Sequence, residues 1–534
     1  MMLTTKTIAA GAIFAGAAGL FIHTPVLAAI AIQHWTQSSG AEVYLVESPT
    51  IAMLDVQIDF DAGSRRDPSR QAGLASMTAS MLDKGVRASE RHAGPLQADA
   101  AAPGGSAVRQ AASVGVTAAS AEPPQPRLAP PGGRAAREAA SVGATAASAG
   151  PPQARPAPPG GSAAREAASV GALYDSALDE NALGEAWADL GAQFNAGASL
   201  DRMSFSLRSL TDPDLLDKAV ALAAREIAEP AFPDAIWQRE RQRLQAALKE
   251  SYTRPGNVAG RAYAQAVYGS HPYGYEITEA TLARISVADL QAAHAMGVVA
   301  CRARVSMVGA VTRAQADVIA AHLLSRLPEL PCASLPPLPV LAEVAPLTEP
   351  LEKRIPFDAA QAHVLLGQPG YKRSDPDHFP LIVGNYILGG SGFVSRLTAE
   401  VREKRGLVYG VSSSFSPGRH AGSFTVGFQT RPDQAAQALE LARFVVKEFV
   451  AKGPTQAELQ AAKDNLVGGF ALGIDSNRKL LANLAGIAWN DLPLNYLDTW
   501  TQQIEKVSIV DVMAAFSRKL QPEKMVTVIL GTAQ

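Results

Sequence analysis

Two cysteines in 534 residues, Cys301 and Cys332, are too few for a disulfide framework or a cysteine-built metal site. An oxidising compartment would permit them to pair across their 31-position separation; otherwise they stay as separate buried thiols. An excess of one charge sign is also missing. Forty-eight basic residues against 50 acidic ones leave a net charge of -2, which gives no electrostatic footprint for nucleic acid and no polybasic membrane patch. Long apolar runs are absent beyond the first residues, and even the stretch from Ile8 to Ile22 is short for a membrane span. Lys6 precedes that stretch, and His23, Pro25, Val26 and Ala28 follow it. This is a secretory-signal pattern over residues 1–28 with cleavage favoured after Ala28. A retained anchor stays open, because residues 29–32 prolong the apolar character. The expected product is a periplasmic protein without a membrane segment after cleavage.

What is present points to cores. At 47% hydrophobic composition the chain can bury more than one of them, and roughly two to four domains are expected for this length. Residues 42–48 and 51–62 alternate like strands, and GLASMTASMLDKG, residues 73–85, has an apolar helical face at Leu74, Met77, Met81 and Leu82. Composition then changes abruptly. Between about residues 87 and 171 the chain is Ala, Pro, Gly, Ser and scattered Arg, and PGGSAVRQAASVG at Pro103 recurs at Pro131 and Pro159 with a period of 28 residues. Too few large apolar residues occur there for a solenoid, so a disordered surface insertion is expected.

Helix and strand patterns resume after Leu173 and continue to about residue 327, with a turn-rich reading for residues 251–275 and a structural role for His271. Residues 328–350 read as a Pro-rich linker, and a second domain is expected over residues 351–534. DPDLLDK from Asp212 and RPDQAAQ from Arg431 begin segments that echo each other in helix length and break position. Two related α+β domains follow from that echo, each with helices packed on a mostly antiparallel sheet.

One stretch gathers unusual signals. Residues 379–414 show a helical face at Leu381, Ile382, Tyr386 and Leu388, a glycine turn at Gly389, Gly390 and Gly392, a second short helix over residues 394–404, and a strand over residues 407–415. Arg402 falls in the last helical turn and Tyr409 in the strand beyond Gly406. The change of direction between them lets guanidinium and phenol face one cleft. The plainer alternative makes Arg402 a helix cap and Tyr409 a half-buried sheet residue.

With these motifs in view, the chain resembles the M16 peptidases, the group of pitrilysin, insulysin and the mitochondrial processing peptidase subunits, over nearly all of its length except the repeats. In that family a helix with His-x-x-Glu-His and a downstream Glu hold zinc. This sequence departs at each position: the helix reads GLASMTASM, placing Ser76, Ala79 and Ser80 where the His, Glu and His belong, and after Glu240 and Arg241 the ligand position falls on Ala247. The resemblance implies that this chain binds no cofactor itself. It also implies that Arg402 and Tyr409, within VREKRGLVY, match the family's substrate-holding Arg and Tyr. The implied function is the noncatalytic subunit of a heterodimeric zinc peptidase. Its partner would be an M16 subunit with an intact zinc motif, the two enclosing a peptide substrate. A scaffold or peptide-binding module without a role in hydrolysis is the alternative reading.

Overall fold

The computed structural model describes residues 30–89, 176–328, 330–391 and 394–531. The signal pattern at 1–28, the repeats between residues 103 and 171, and Gly392 lie outside the described residues.

The first half runs through β1 (Gln33–Thr36), β2 (Glu42–Glu47), β3 (Met53–Phe60), α1 (Leu74–Ser80) and β4 (Gly85–Val86). It resumes with β5 (Leu178–Asp179), α2 (Glu180–Asp189), β6 (Gln193–Ala198), β7 (Met203–Leu210), α3 (Pro213–Ala228), α4 (Asp234–Ser251), α5 (Pro255–Tyr268), α6 (Val287–Gly297), β8 (Arg304–Gly309) and α7 (Arg313–Leu324). The second half contains β9 (Leu351–Ile355), β10 (Ala362–Pro369), α8 (His378–Asn385), β11 (Val408–Phe415), β12 (Ser423–Thr430), α9 (Ala435–Lys452), α10 (Gln456–Gly469), α11 (Asn477–Trp489), α12 (Tyr496–Lys506), α13 (Ile509–Lys519) and β13 (Val526–Leu530).

Two sheets carry this architecture. The first has the order β1-β2-β8-β3-β7-β6, and the second, read from its far edge, β9-β13-β10-β12-β11. From β2 onward the two orders coincide strand for strand. Even the exception recurs: each sheet is antiparallel apart from one parallel pair, β2 with β8 and β9 with β13. The α+β architecture expected from the sequence echo is therefore a repeated one.

Alternation decides which face is buried. Leu54, Val56, Ile58 and Phe60 of β3 join Met203, Phe205 and Leu207 of β7 in the first core, so period two puts Asp55, Gln57, Asp59, Ser204, Ser206 and Arg208 on the opposite face. The halves then cover each other reciprocally. α5 from the first half lies on β10 and β13, where Ala259, Tyr263 and Val267 meet Val526, Val528 and Leu530. α11 from the second half lies on β8 and β3, where Leu481, Leu484 and Ala488 meet Tyr44, Val46 and Val308. The buried Tyr263 hydroxyl donates to the Phe424 carbonyl at 2.8 Å.

α5 corrects the turn-rich reading of residues 251–275. Gly256 and Gly260 depress its intrinsic helix propensity, but the stripe Ala259, Tyr263 and Val267 recurs every four residues and is buried on the other half's sheet, so tertiary packing decides. The helix expected over residues 394–404 forms over residues 396–403, widened to a π-helical turn from Thr398 to Glu403.

The two legs of the insertion leave side by side. Gly85 pairs with Asp179 and Val86 with Leu178, and the fully buried Arg225 donates to the carbonyls of Arg87 and Ser176 at 2.7 and 2.6 Å. Cys301 and Cys332 are joined as a disulfide with Cα atoms 5.8 Å apart. Between Leu327 and Leu351 the described residues form a single helical turn, Cys332–Ser334, so the disulfide anchors an otherwise irregular connection beside β8.

Candidate functional site

α1 is positioned firmly. Gly73 takes a left-handed conformation at φ 103°, which glycine adopts without the Cβ clash. Asp67, folded back from the preceding loop, accepts the Gly73 and Ala75 backbone N–H groups at 2.8 and 2.9 Å. Burial pushes the Asp67 carboxyl up to about 6 against the pull of those donors. α1 packs on α6 and β6.

The side chains that this scaffold presents are small. Ser76 and Ser80 are half-buried, Ala79 is buried, and the Ser80 hydroxyl donates back to the Met77 carbonyl at 3.0 Å. Ala247 is an exposed residue of α4. A zinc site of nitrogen and carboxylate ligands does not fit these residues: a serine hydroxyl has no imidazole lone pair to offer, and alanine has no donor at all. Among the described residues, no group of three His, Cys, Asp or Glu side chains is placed to hold a metal ion. Nearby Glu240 is committed elsewhere, to Arg239 at 3.1 Å and Arg243 at 2.8 Å.

The second half brings Arg402 and Tyr409 together. The Arg402 guanidinium carbon lies 5.3 Å from the Tyr409 ring centroid, within range of a cation–π contact. Irregular backbone explains this meeting. Arg402 projects from the π-helical turn Thr398–Glu403, and the register of β11 against β12 slips between Val408 and Val411. Tyr409 and Gly410 sit in that slip. A bulge re-aims a strand residue, and Tyr409 is 87% exposed. The expected half-burial of Tyr409 in the plainer alternative is thus not what forms. Gly389 has a packing role, since a Cβ there would stand 2.5 Å from the Ser413 backbone nitrogen.

Strand edges distinguish the halves, and nothing in the sequence showed it. The outer side of β11 is occupied: Asn385 donates to the Ser413 carbonyl at 3.1 Å, and the Thr398 hydroxyl reaches the Val411 carbonyl at 3.4 Å. β6, at the equivalent edge of the first sheet, ladders only with β7. Phe194, Ala196 and Ala198 pack against the core, Phe194 stacking on Trp187 at 5.4 Å, while Gln193, Asn195 and Gly197 are exposed. Among the described residues, β6 presents an uncapped row of backbone donors and acceptors beside α1.

Comparison with known proteins agrees with this geometry. Residues 284–466 match the family described as peptidase M16 inactive domain. An uncharacterized zinc protease of Mycobacterium leprae is 27% identical over 350 residues, 64% of this chain and 76% of that protein. A non-peptidase homolog, YmxG of Helicobacter pylori, is 36% identical over 166 residues, 30% of this chain and 37% of that protein. Among solved structures, a peptidase M16 inactive domain from Pseudomonas fluorescens superposes with a TM-score of 0.73 at 28% identity, covering 94% of this chain and 98% of that one. The periplasmic protease PqqL of Escherichia coli shares the fold at 16% identity and a TM-score of 0.66, this chain spanning 49% of its length.

Proposed function

We propose, from the premise that this chain carries an M16-family inactive domain, that it is a noncatalytic module that binds an extended peptide without hydrolysing it. One observation carries the reading: the open edge of β6 lies beside an α1 whose Ser76, Ala79 and Ser80 supply no metal donor set. An exposed strand edge gives main-chain hydrogen bonds to any extended segment laid against it. On the polar face of that edge, Gln193, Asn195 and Gly197 of β6 are exposed. The YmxG relative, a non-peptidase homolog by its name, supports the reading. The purified chain, incubated with zinc and a fluorescent unstructured peptide, is expected to bind the peptide and leave it intact. Zinc-dependent turnover by the isolated chain overturns the proposal, and so does failure of any extended peptide to bind.

A second reading is favoured by the exposure of Tyr409 beneath the Arg402 guanidinium. Here the chain serves as the noncatalytic subunit of a heterodimer, where Arg402 donates to a peptide carbonyl and Tyr409 hydrogen-bonds to the same carbonyl or its oxyanion. The zinc belongs to an M16 subunit with an intact motif. Partner-dependent cleavage that survives both Arg402→Ala and Tyr409→Phe excludes it. Export to the periplasm is part of both readings, supported by the signal pattern and the Cys301–Cys332 disulfide.

A further inference from the structure

Three parts of the chain meet where the loop joining β11 to β12 leans on the first half. His271 Nδ1 accepts the Tyr273 backbone N–H at 3.1 Å, which leaves the neutral ring's proton on Nε2. The Tyr273 hydroxyl donates to Asp201 at 2.6 Å and accepts the His420 backbone N–H at 3.2 Å. Asp201 accepts the Arg419 backbone N–H at 2.9 Å, while Arg65 Nε donates to it at 3.1 Å. Two amide protons of the loop, on Arg419 and His420, are therefore held by a relay that begins at His271.

We propose that His271 is a proton-sensitive catch that releases the Arg419–His420 loop from the first half on mild acidification. A protonated imidazole donates from both nitrogens, so Nδ1 can no longer accept from Tyr273, and the single helical turn Pro272–Gly274 loses its cap. The Tyr273 hydroxyl, which is what grips the loop, is carried by that turn.

The surroundings do not accommodate the extra charge. His271 is 8% exposed, and its Nε2 makes no well-formed hydrogen bond among the described residues, the Ala342 carbonyl lying only near enough to favour the charged ring. The His420 ring stands edge-on to it with centroids 5.3 Å apart, and His420 Nδ1 is 3.3 Å from Glu343 of the connecting segment. The neighbouring His420 ring works against a positive charge on His271. The other charged groups around the catch are Asp201 and Arg65 of the first half, Arg66 and Asp61 in ion pair beside Arg65, Arg419 of the loop, and Lys372, 3.6 Å from Glu343. Tyr268 and Tyr273 set their uncharged rings against His271 as well. Burial first, and His420 second, hold the His271 pKa below its ordinary value, although Asp201, Glu343 and the Ala342 carbonyl pull the other way. The released loop therefore binds the proton more readily than the latched one, and latching weakens as pH falls below about 6.5.

Hydrogen exchange on the full chain tests this by following peptides that cover residues 417–422. Corrected for intrinsic rates, protection of Arg419 and His420 is expected to fall between about pH 7.5 and 5.5, by at most about tenfold per pH unit for each proton taken up. His271→Gln, which keeps an acceptor for the Tyr273 N–H and cannot titrate, should hold protection constant over that range. Unchanged protection in the natural chain, or an equal fall in H271Q, overturns the proposal. If H271Q does not fold, His420→Gln decides: with one cause of the depressed His271 pKa removed, the loss of protection on acidification should shrink, and an undiminished loss refutes the catch.

Discussion

Replacing Glu226 by glutamine tests how the first core tolerates a carboxyl group. Glu226 lies on α3 with 1% of its surface exposed, and its carboxylate oxygen accepts the Trp187 indole N–H at 3.0 Å. Lys84 nearby is engaged with Asp83 and Glu180 at 3.2 and 2.8 Å, so it offers little compensation. Burial pushes the Glu226 pKa from 4.5 up to about 8, Asp83 adding to the rise. The folded chain then holds a proton that the unfolded chain has already lost, so stability falls as pH rises from about 4.5 towards 8, with a slope of up to about 1.4 kcal/mol per pH unit. Across the window the ceiling is about 5 kcal/mol, large against the marginal stability of a domain. Glu226→Gln keeps an acceptor for Trp187 and cannot ionise. Urea unfolding followed by far-ultraviolet circular dichroism at about pH 5, 7 and 8.5 should give two curves that converge in acid and diverge in base, the glutamine variant being the more stable at high pH. Parallel pH profiles for the two proteins would refute the reasoning, because they would mean that Glu226 is ionised in the folded state at no cost.

The remaining predictions concern cross-links, the insertion and the exposed pair. Reduction, or Cys332→Ser, opens a 31-residue loop and should cost about 3 to 4 kcal/mol in urea unfolding on a chain-entropy basis, an unchanged midpoint arguing against it. Joining residues 89 and 176 through a short Gly-Ser turn should preserve the circular dichroism spectrum and shift stability by less than about 1 kcal/mol, since β4, β5 and Arg225 already hold the two legs together; a molten spectrum contradicts it. Tyr409→Phe, at an exposed position, should alter stability by less than about 0.5 kcal/mol, so any lost partner-dependent cleavage reports on substrate contact, with circular dichroism checking that the fold is intact.

Much of the fold was legible because it rests on local pattern. Alternation in Met53–Phe60 and Met203–Leu210, and the helical stripes of α3, α9 and α10, fixed element types without reference to partners. α5 escaped for the opposite reason: its apolar stripe makes sense only against a sheet that begins about a hundred residues later. α11, α12 and α13 were not singled out, although Ser476 and Ser508 cap α11 and α13 with hydroxyls that accept from Lys479 and Asp511 backbone N–H groups, a signal that was there to be used. At the candidate site, the identities of Ser76, Ala79, Ser80 and Ala247 already excluded a zinc donor set. The Arg402–Tyr409 contact could be anticipated as a direction change, but not its cause, because a π-helical turn and a bulge are backbone irregularities with no fixed residue signature. His271 read as structural because its neighbours, His420 and Glu343, are distant in sequence.

The repeated plan is elaborated differently in the two halves. The first half has, among the described residues, an unladdered edge at β6 beside an α1 whose Ser76, Ala79 and Ser80 offer no metal donor set. The second keeps Arg402 and Tyr409, yet the carbonyls of its own edge strand are taken by Asn385 and Thr398. On the proposed readings, an extended peptide on β6 would gain a hydrogen-bonded ladder without activation, and one reaching Tyr409 would meet donors without a ladder. On the proposed division between the two sheets, disabling one surface should leave the other measurable. Peptide affinity of the isolated chain is then expected to be indifferent to Arg402→Ala, and any effect on a partner's turnover to depend on Arg402 and Tyr409. A single substitution at Arg402 that abolished both would show that the two surfaces form one site, and would require a geometry in which β6 and β11 share a bound chain.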